Sequence, residues 1–163
     1  MDSEISKLAE SVISLASQKG LKVTSAESCT GGGIAHALTS VSGSSAAFDG
    51  SVVAYANEIK SEVLGVPDDV LKDHGAVSEP VARIMATSIR DLMSADYSVS
   101  VTGIAGPTGG LKDKPIGLVY VGIATPDNVE VRAFRFGAIG RDAVRNETIK
   151  ASLHMLAEAL RKP

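Results

Sequence analysis

Hydrophobic positions in this chain switch repeatedly between helical and strand-like spacing, and glycine or a capping residue marks most of the switches. From Ser3 to Lys19, Ile5, Leu8, Val12, Leu15 and Ala16 recur at helical spacing, and Gly20 is a natural C-terminal stop. Leu21 to Ala26 reads as a strand and Gly32 to Thr39 as a second helix, with Gly31, Gly32 and Gly33 at the junction. VSGSSAAFDG reads as a loop, SVVAYA from Ser51 as a strand, and NEIKSEVLGV as a helix with Asn57 as candidate cap. Pro67-Asp68-Asp69 opens a short helix ending near Gly75, and Ser78 and Glu79 cap a long one through Met93. SVSVTG from Ser98 is a strand that empties into IAGPTGGLKDKPIG, a second glycine-rich loop. GLVYVGIAT and VEVRAFRF read as strands paired through the turn at Pro126-Asp127-Asn128. Arg141 to Arg161 is a final amphipathic helix with Ile149, Leu153, Leu156 and Leu160 on one face.

Alternating helices and strands predict an α/β fold: a three-layer sandwich with a mixed β-sheet flanked by helices. No linker, repeat or low-complexity tract interrupts the 163 residues, so a single domain over 1–163 is expected. Hydrophobic residues make up 44% without a long apolar run, which argues against a membrane span. The start, MDSEISKLAESV, is charged and amphipathic with no signal-peptide stretch, and one cysteine cannot form an internal disulfide. Both point to a reducing, cytoplasmic setting. A net charge of −3 and aromatics at 4% argue against nucleic-acid binding, yet leave room for a local cationic pocket for one small anion. Nothing in the sequence decides between a monomer and a homo-oligomer.

Chemistry concentrates in VTSAESCTGGGIAHAL, where Ser28, Cys29 and Thr30 meet the first glycine run at a strand-to-helix turn. Ser28 is either a nucleophile or an N-cap, and Thr30 could fill the cap role instead. Amides behind it are candidates for holding an oxyanion. Gly-x-Ser-x-Gly is absent, because Ala26 and Thr30 occupy the glycine places, and Ser-x-x-Lys would need lysine at Gly31. Cys29 beside a small-residue turn reads as a buried, inert thiol. His36, His74 and His154 are poorly placed to serve as base. Lys60, with Tyr55 five positions before it, is either a surface lysine or a base whose proton is loosened by burial. TGIAGPTGG offers free amides for phosphate or carboxylate, or is a plain surface loop. Arg141 and Arg145, four apart on the last helix, either clamp an anion or form a solvated face. Paired cysteines and His-x-x-x-His are absent, so no metal and no cofactor are expected.

AESCTGG, SGSS followed by Phe48, VVAYANEIKSEVLGV, HGAVSE and TGIAGPTGG occur in that order. The series resembles the CinA C-terminal domain family, whose best-defined activity is nicotinamide-nucleotide amidohydrolysis (NMN deamidase, PncC type). The match runs from about Ala26 to the Gly-Leu-Val-Tyr-Val strand, with Ser51 and Thr108 standing where glycine is commoner. The resemblance implies a serine–lysine amidohydrolase with nucleophile Ser28, lysine Lys60 and supporting Tyr55. Substrate-binding candidates are Thr30, Gly31 and Gly32, then Thr102, Gly103, Gly106, Gly109 and Gly110, and finally Arg141 and Arg145. The implied substrate is nicotinamide mononucleotide. The competing class is a nucleotide-binding module without turnover, tied to competence or DNA damage, which would have no use for Lys60.

Overall fold

The computed structural model describes residues 1–163. Chain order is α1 (Ser3–Lys19), β1 (Val23–Glu27), α2 (Gly33–Thr39), β2 (Phe48–Val53), α3 (Asn57–Glu62), α4 (Asp68–His74), α5 (Glu79–Leu92), β3 (Tyr97–Gly103), β4 (Leu118–Ala124), β5 (Val129–Arg135) and α6 (Arg141–Arg161). The five strands form one mixed sheet ordered β2-β1-β3-β4-β5. β1 runs parallel to both β2 and β3, whereas β3–β4 and β4–β5 are antiparallel. The result is a single-domain α/β fold, helices covering both faces of the sheet.

Capping chemistry defines the helices. Asp2 accepts the Glu4 amide at 2.8 Å to start α1, and Gly20 ends it in the left-handed conformation at φ 67°. Ser78 caps α5 through the Val81 amide at 3.4 Å. Several boundaries differ from the sequence pattern: β1 runs Val23–Glu27 rather than from Leu21 to Ala26, and α3 stops at Glu62 instead of running on through Val66. FDG, read as loop, is the start of β2, and AYA, read as strand, lies beyond its end. The strand stops at Val53 because Ala54 makes the last ladder bond, its amide donating to the Glu27 carbonyl at 2.7 Å. The cap of α3 is the backbone of Ala56, not Asn57, which is the first helical residue.

The two faces of the sheet are built differently. The larger core, 25 buried residues including Val12, Leu38, Val99, Val121, Leu153 and Leu156, joins the sheet to α1, α2 and α6. On the other face β3 presents hydroxyls to α5. Ser98 and Ser100 are fully buried and donate at 2.6 Å to the carbonyls of Ala86 and Ala82, one turn apart on α5. Thr102 continues the row with a 2.8 Å bond to the Ala76 carbonyl just before α5. This polar seam fixes the Gly75–Ser78 segment against the end of β3, beside the end of β1.

Candidate active site

β1 ends by sending adjacent side chains to opposite faces, as an extended chain must. Glu27 goes to the α2 side and Ser28 to the α3 side. Glu27 is fully buried and its carboxylate accepts from the Ile34 and Ala35 amides at 2.9 Å each, Thr30 Oγ1 at 2.7 Å and Ser25 Oγ at 3.1 Å. This corrects the expected cap of α2. Neither Ser28 nor Thr30 fills it, because a carboxylate that reaches two successive N-terminal amides suits the positive end of a helix better. Ser28 is thereby free to face the other way.

There it meets Lys60. Lys60 Nζ lies 2.9 Å from Ser28 Oγ and donates to the carbonyls of Ala54 at 2.8 Å and Tyr55 at 3.1 Å. The side chain is 1% exposed, and no carboxylate is among its partners. Burial therefore holds the amine below its ordinary 10.5. With both hydrogens of a neutral amine committed to the two carbonyls, the lone pair is left for the serine hydroxyl proton. Cys29, by contrast, is pushed up to about 11 by burial, with the Glu27 charge adding to it, so it stays a protonated thiol at neutral pH.

A cleft of about 180 Å3 opens over the pair. Tyr55, Asn57, Arg141, Val77, Thr102 and Gly103 are among the residues that line it. The Tyr55 hydroxyl does not touch the serine or the lysine. It accepts from Arg141 Nη2 at 3.0 Å, while Arg141 Nη1 donates to the Gly106 carbonyl at 2.8 Å. Tyr55 thus reaches Lys60 only through its carbonyl. The amides of Cys29 and Thr30, the two residues that follow Ser28, have no hydrogen-bond partner in the chain, and of these two residues Cys29 lines the cleft.

The remaining sequence candidates divide. Gly31 and Gly32 adopt positive φ of 60° and 97°, and a Cβ on Gly33 would lie 2.5 Å from Ile149. The glycine run is therefore demanded by a left-handed turn and by close packing on α6. Thr30 points its hydroxyl at Glu27, away from the cleft, and Arg145 braces the Thr30 carbonyl at 3.1 Å. Gly109 and Gly110 face Ile104 and Ile116 and do not line the cleft. None of the three histidines lines it either; His154 pairs with Glu158 at 3.2 Å on the surface. Sequence reasoning missed Glu27, Asn57 and the Ala76–Val77 lip. The available signal for Glu27 was an acid closing an otherwise small and apolar strand just before a helix.

Fold and site together define an α/β protein with a buried serine–lysine pair at a strand-to-helix turn. The chain belongs to the CinA C-terminal domain family, whose profile matches residues 5–160. It is 51% identical over 153 residues to a putative competence-damage inducible protein of Caldicellulosiruptor bescii, covering 94% of this chain and 37% of that one. It is 47% identical to a CinA-like protein of Parasynechococcus marenigrum, covering 94% and 37%. The chain thus spans little more than a third of these curated relatives. Among solved structures, the competence/damage inducible protein CihA of Agrobacterium tumefaciens superposes with TM-score 0.94 at 43% identity, over 98% of this chain and 96% of that one. The competence damage-inducible protein A of Klebsiella pneumoniae gives 0.92 at 33% identity, over 96% of each.

Proposed function

We propose that this protein hydrolyses the carboxamide of nicotinamide mononucleotide to nicotinate mononucleotide and ammonia. The observation that carries the reading is the Lys60 amine, buried without a counter-charge, tethered to two carbonyls and aimed at Ser28 Oγ. In this scheme Ser28 Oγ attacks the carboxamide carbon as its proton passes to Lys60 Nζ. The oxyanion is met by the free amides of Cys29 and Thr30. Lys60 returns the proton to the departing nitrogen, the C–N bond breaks, and ammonia leaves an acyl-serine. Water then attacks the ester, its proton again going to Lys60, which reprotonates Ser28 Oγ as the acid is released.

Charge and size support the substrate. Arg141, which lines the cleft, takes no part in any ion pair, so its positive charge stands unneutralised there. At about 180 Å3 the cleft is smaller than the ~300 Å3 usual for a whole drug-sized ligand. It suits the pyridine carboxamide, with the ribose phosphate extending toward Arg141 at the mouth.

The test is ammonia release from nicotinamide mononucleotide by the purified chain, alongside Ser28→Ala. Release by the wild type and not by the variant is expected. If the nucleotide raises Tm but no ammonia appears, the chain is a binding module without turnover.

A further inference from the structure

Glu27 is the one fully buried carboxylate of the chain, and nothing in the proposed reaction uses it. Its cost is considerable, since a buried charge must be matched by hydrogen bonds or a partner ion. No lysine or arginine contacts it; four neutral donors do. Two of them, the Ile34 and Ala35 amides, belong to α2, a third belongs to Thr30 inside the turn that follows Ser28, and the fourth is Ser25 on β1. One side chain therefore ties together the strand before Ser28, the turn after it and the helix beyond. The turn's other holds are single bonds: the Ser28 amide on the Val101 carbonyl at 3.1 Å, Gly31 on the Ser28 carbonyl and Gly33 on the Thr30 carbonyl at 3.0 Å each, and Arg145 on the Thr30 carbonyl at 3.1 Å.

We infer that Glu27 is the positioning residue of the site: by clamping the 28–32 turn onto α2, it holds Ser28 Oγ against Lys60 and keeps the Cys29 and Thr30 amides open to the oxyanion. The inference rests on the serine–lysine reading above. It acts through Ser28 and does not touch substrate. A clamp of this kind governs the rate of acylation more than substrate affinity, because binding surfaces such as Arg141 and Asn57 lie on other segments.

Glu27→Gln keeps the shape but replaces one oxygen by an NH2 group, which then faces N–H or O–H donors. Two readouts are needed: steady-state hydrolysis of nicotinamide mononucleotide, and the rate at which a fluorophosphonate labels Ser28, which requires no knowledge of the substrate. In Glu27→Gln, kcat and the labelling rate should fall together by about 10- to 100-fold, the size of effect of an ångström-scale misplacement. KM should change little, and the pH limb that reports Lys60 should stay in place. A second pair keeps the test decisive if that variant does not fold. Thr30→Val and Ser25→Ala each remove one hydroxyl from the same carboxylate, and only Thr30 lies in the turn. Thr30→Val should slow labelling several-fold while Ser25→Ala lowers only Tm. Equal rates in the two, or Glu27→Gln with wild-type kcat, overturns the positioning role while leaving the serine–lysine reading intact. A wild type that neither releases ammonia nor labels at Ser28 overturns both.

Discussion

Two cationic regions of this molecule are built on opposite rules. On the surface between α1 and α6, Lys150 is surrounded by acids: Asp2 at 3.1 Å, Glu4 at 3.3 Å and Glu147 at 3.3 Å. The bond to Asp2 leads in raising its pKa above the ordinary value, and Lys150 in turn lowers that of Asp2. This lysine is a permanent cation that pins the capped start of α1 to α6. In the cleft, Lys60 has carbonyls and a hydroxyl for partners and Arg141 has a carbonyl and a phenol. Burial moves Lys60 the other way, toward the free amine. The lesson is physical. A lysine among carboxylates holds structure, whereas a lysine buried among neutral acceptors can exchange a proton.

The comparison breaks most visibly at the serine–lysine pair. Ser28→Ala should lose about 10^4-fold or more in kcat, the scale seen when a catalytic nucleophile is removed. Lys60→Arg should be about as inactive as Lys60→Ala, because a guanidinium with pKa above ~12 does not deprotonate at neutral pH. Substantial ammonia release by Lys60→Arg would show that charge alone suffices and would equate the two regions.

Arg141→Ala tests whether the unneutralised charge serves the substrate. Losing a charge-assisted hydrogen bond should raise KM for the mononucleotide about tenfold. The riboside, lacking phosphate, should be a much poorer substrate of the wild type and should be little affected by the substitution. Equal losses on both would place Arg141 in holding Tyr55 and Gly106 instead.

A subtler contrast lies in pH dependence. Lys60 binds its proton less tightly folded than unfolded, so between its lowered pKa and 10.5 the unfolded chain carries more protons. Stability should therefore rise with pH across that window and be lost as pH falls through the lowered value. The rate should climb along the same limb, since only the free base accepts the serine proton. Lys60→Met should flatten the Tm slope in that window; a slope that persists assigns it to another group. The smallest effect is expected from Lys150→Met, which should lower Tm slightly and leave kcat and KM as in the wild type, because exposed ion pairs contribute little. A changed kcat there would mean that α1–α6 docking reaches the cleft.

Local pattern was enough for most of the architecture. α1 and α6 begin and end where helical spacing and Gly20 place them, because amphipathic period and capping are properties of adjacent residues. The hairpin of β4 and β5 was legible for the same reason, its turn closing with the Thr125 amide on the Asn128 carbonyl at 2.8 Å. Boundaries slipped at β2, where FDG joins the sheet only because β1 lies alongside it. A parallel partner comes from elsewhere in the chain and leaves no local mark.

The site followed the same division. Residue types alone allowed Ser28 two roles, cap or nucleophile, and allowed Lys60 to be an ordinary surface side chain; the family resemblance picked one pair among them. What decided the geometry was the sheet. Parallel pairing of β1 with β2 brings together residues 32 apart in sequence, and the extended backbone sends Glu27 and Ser28 to opposite faces. Only then does Glu27 take over the helix end, releasing the serine, and only then is Lys60 stripped of water. Types and periods are carried by neighbours along the chain. Burial, and hence the protonation of a lysine, belongs to whatever the fold packs around it.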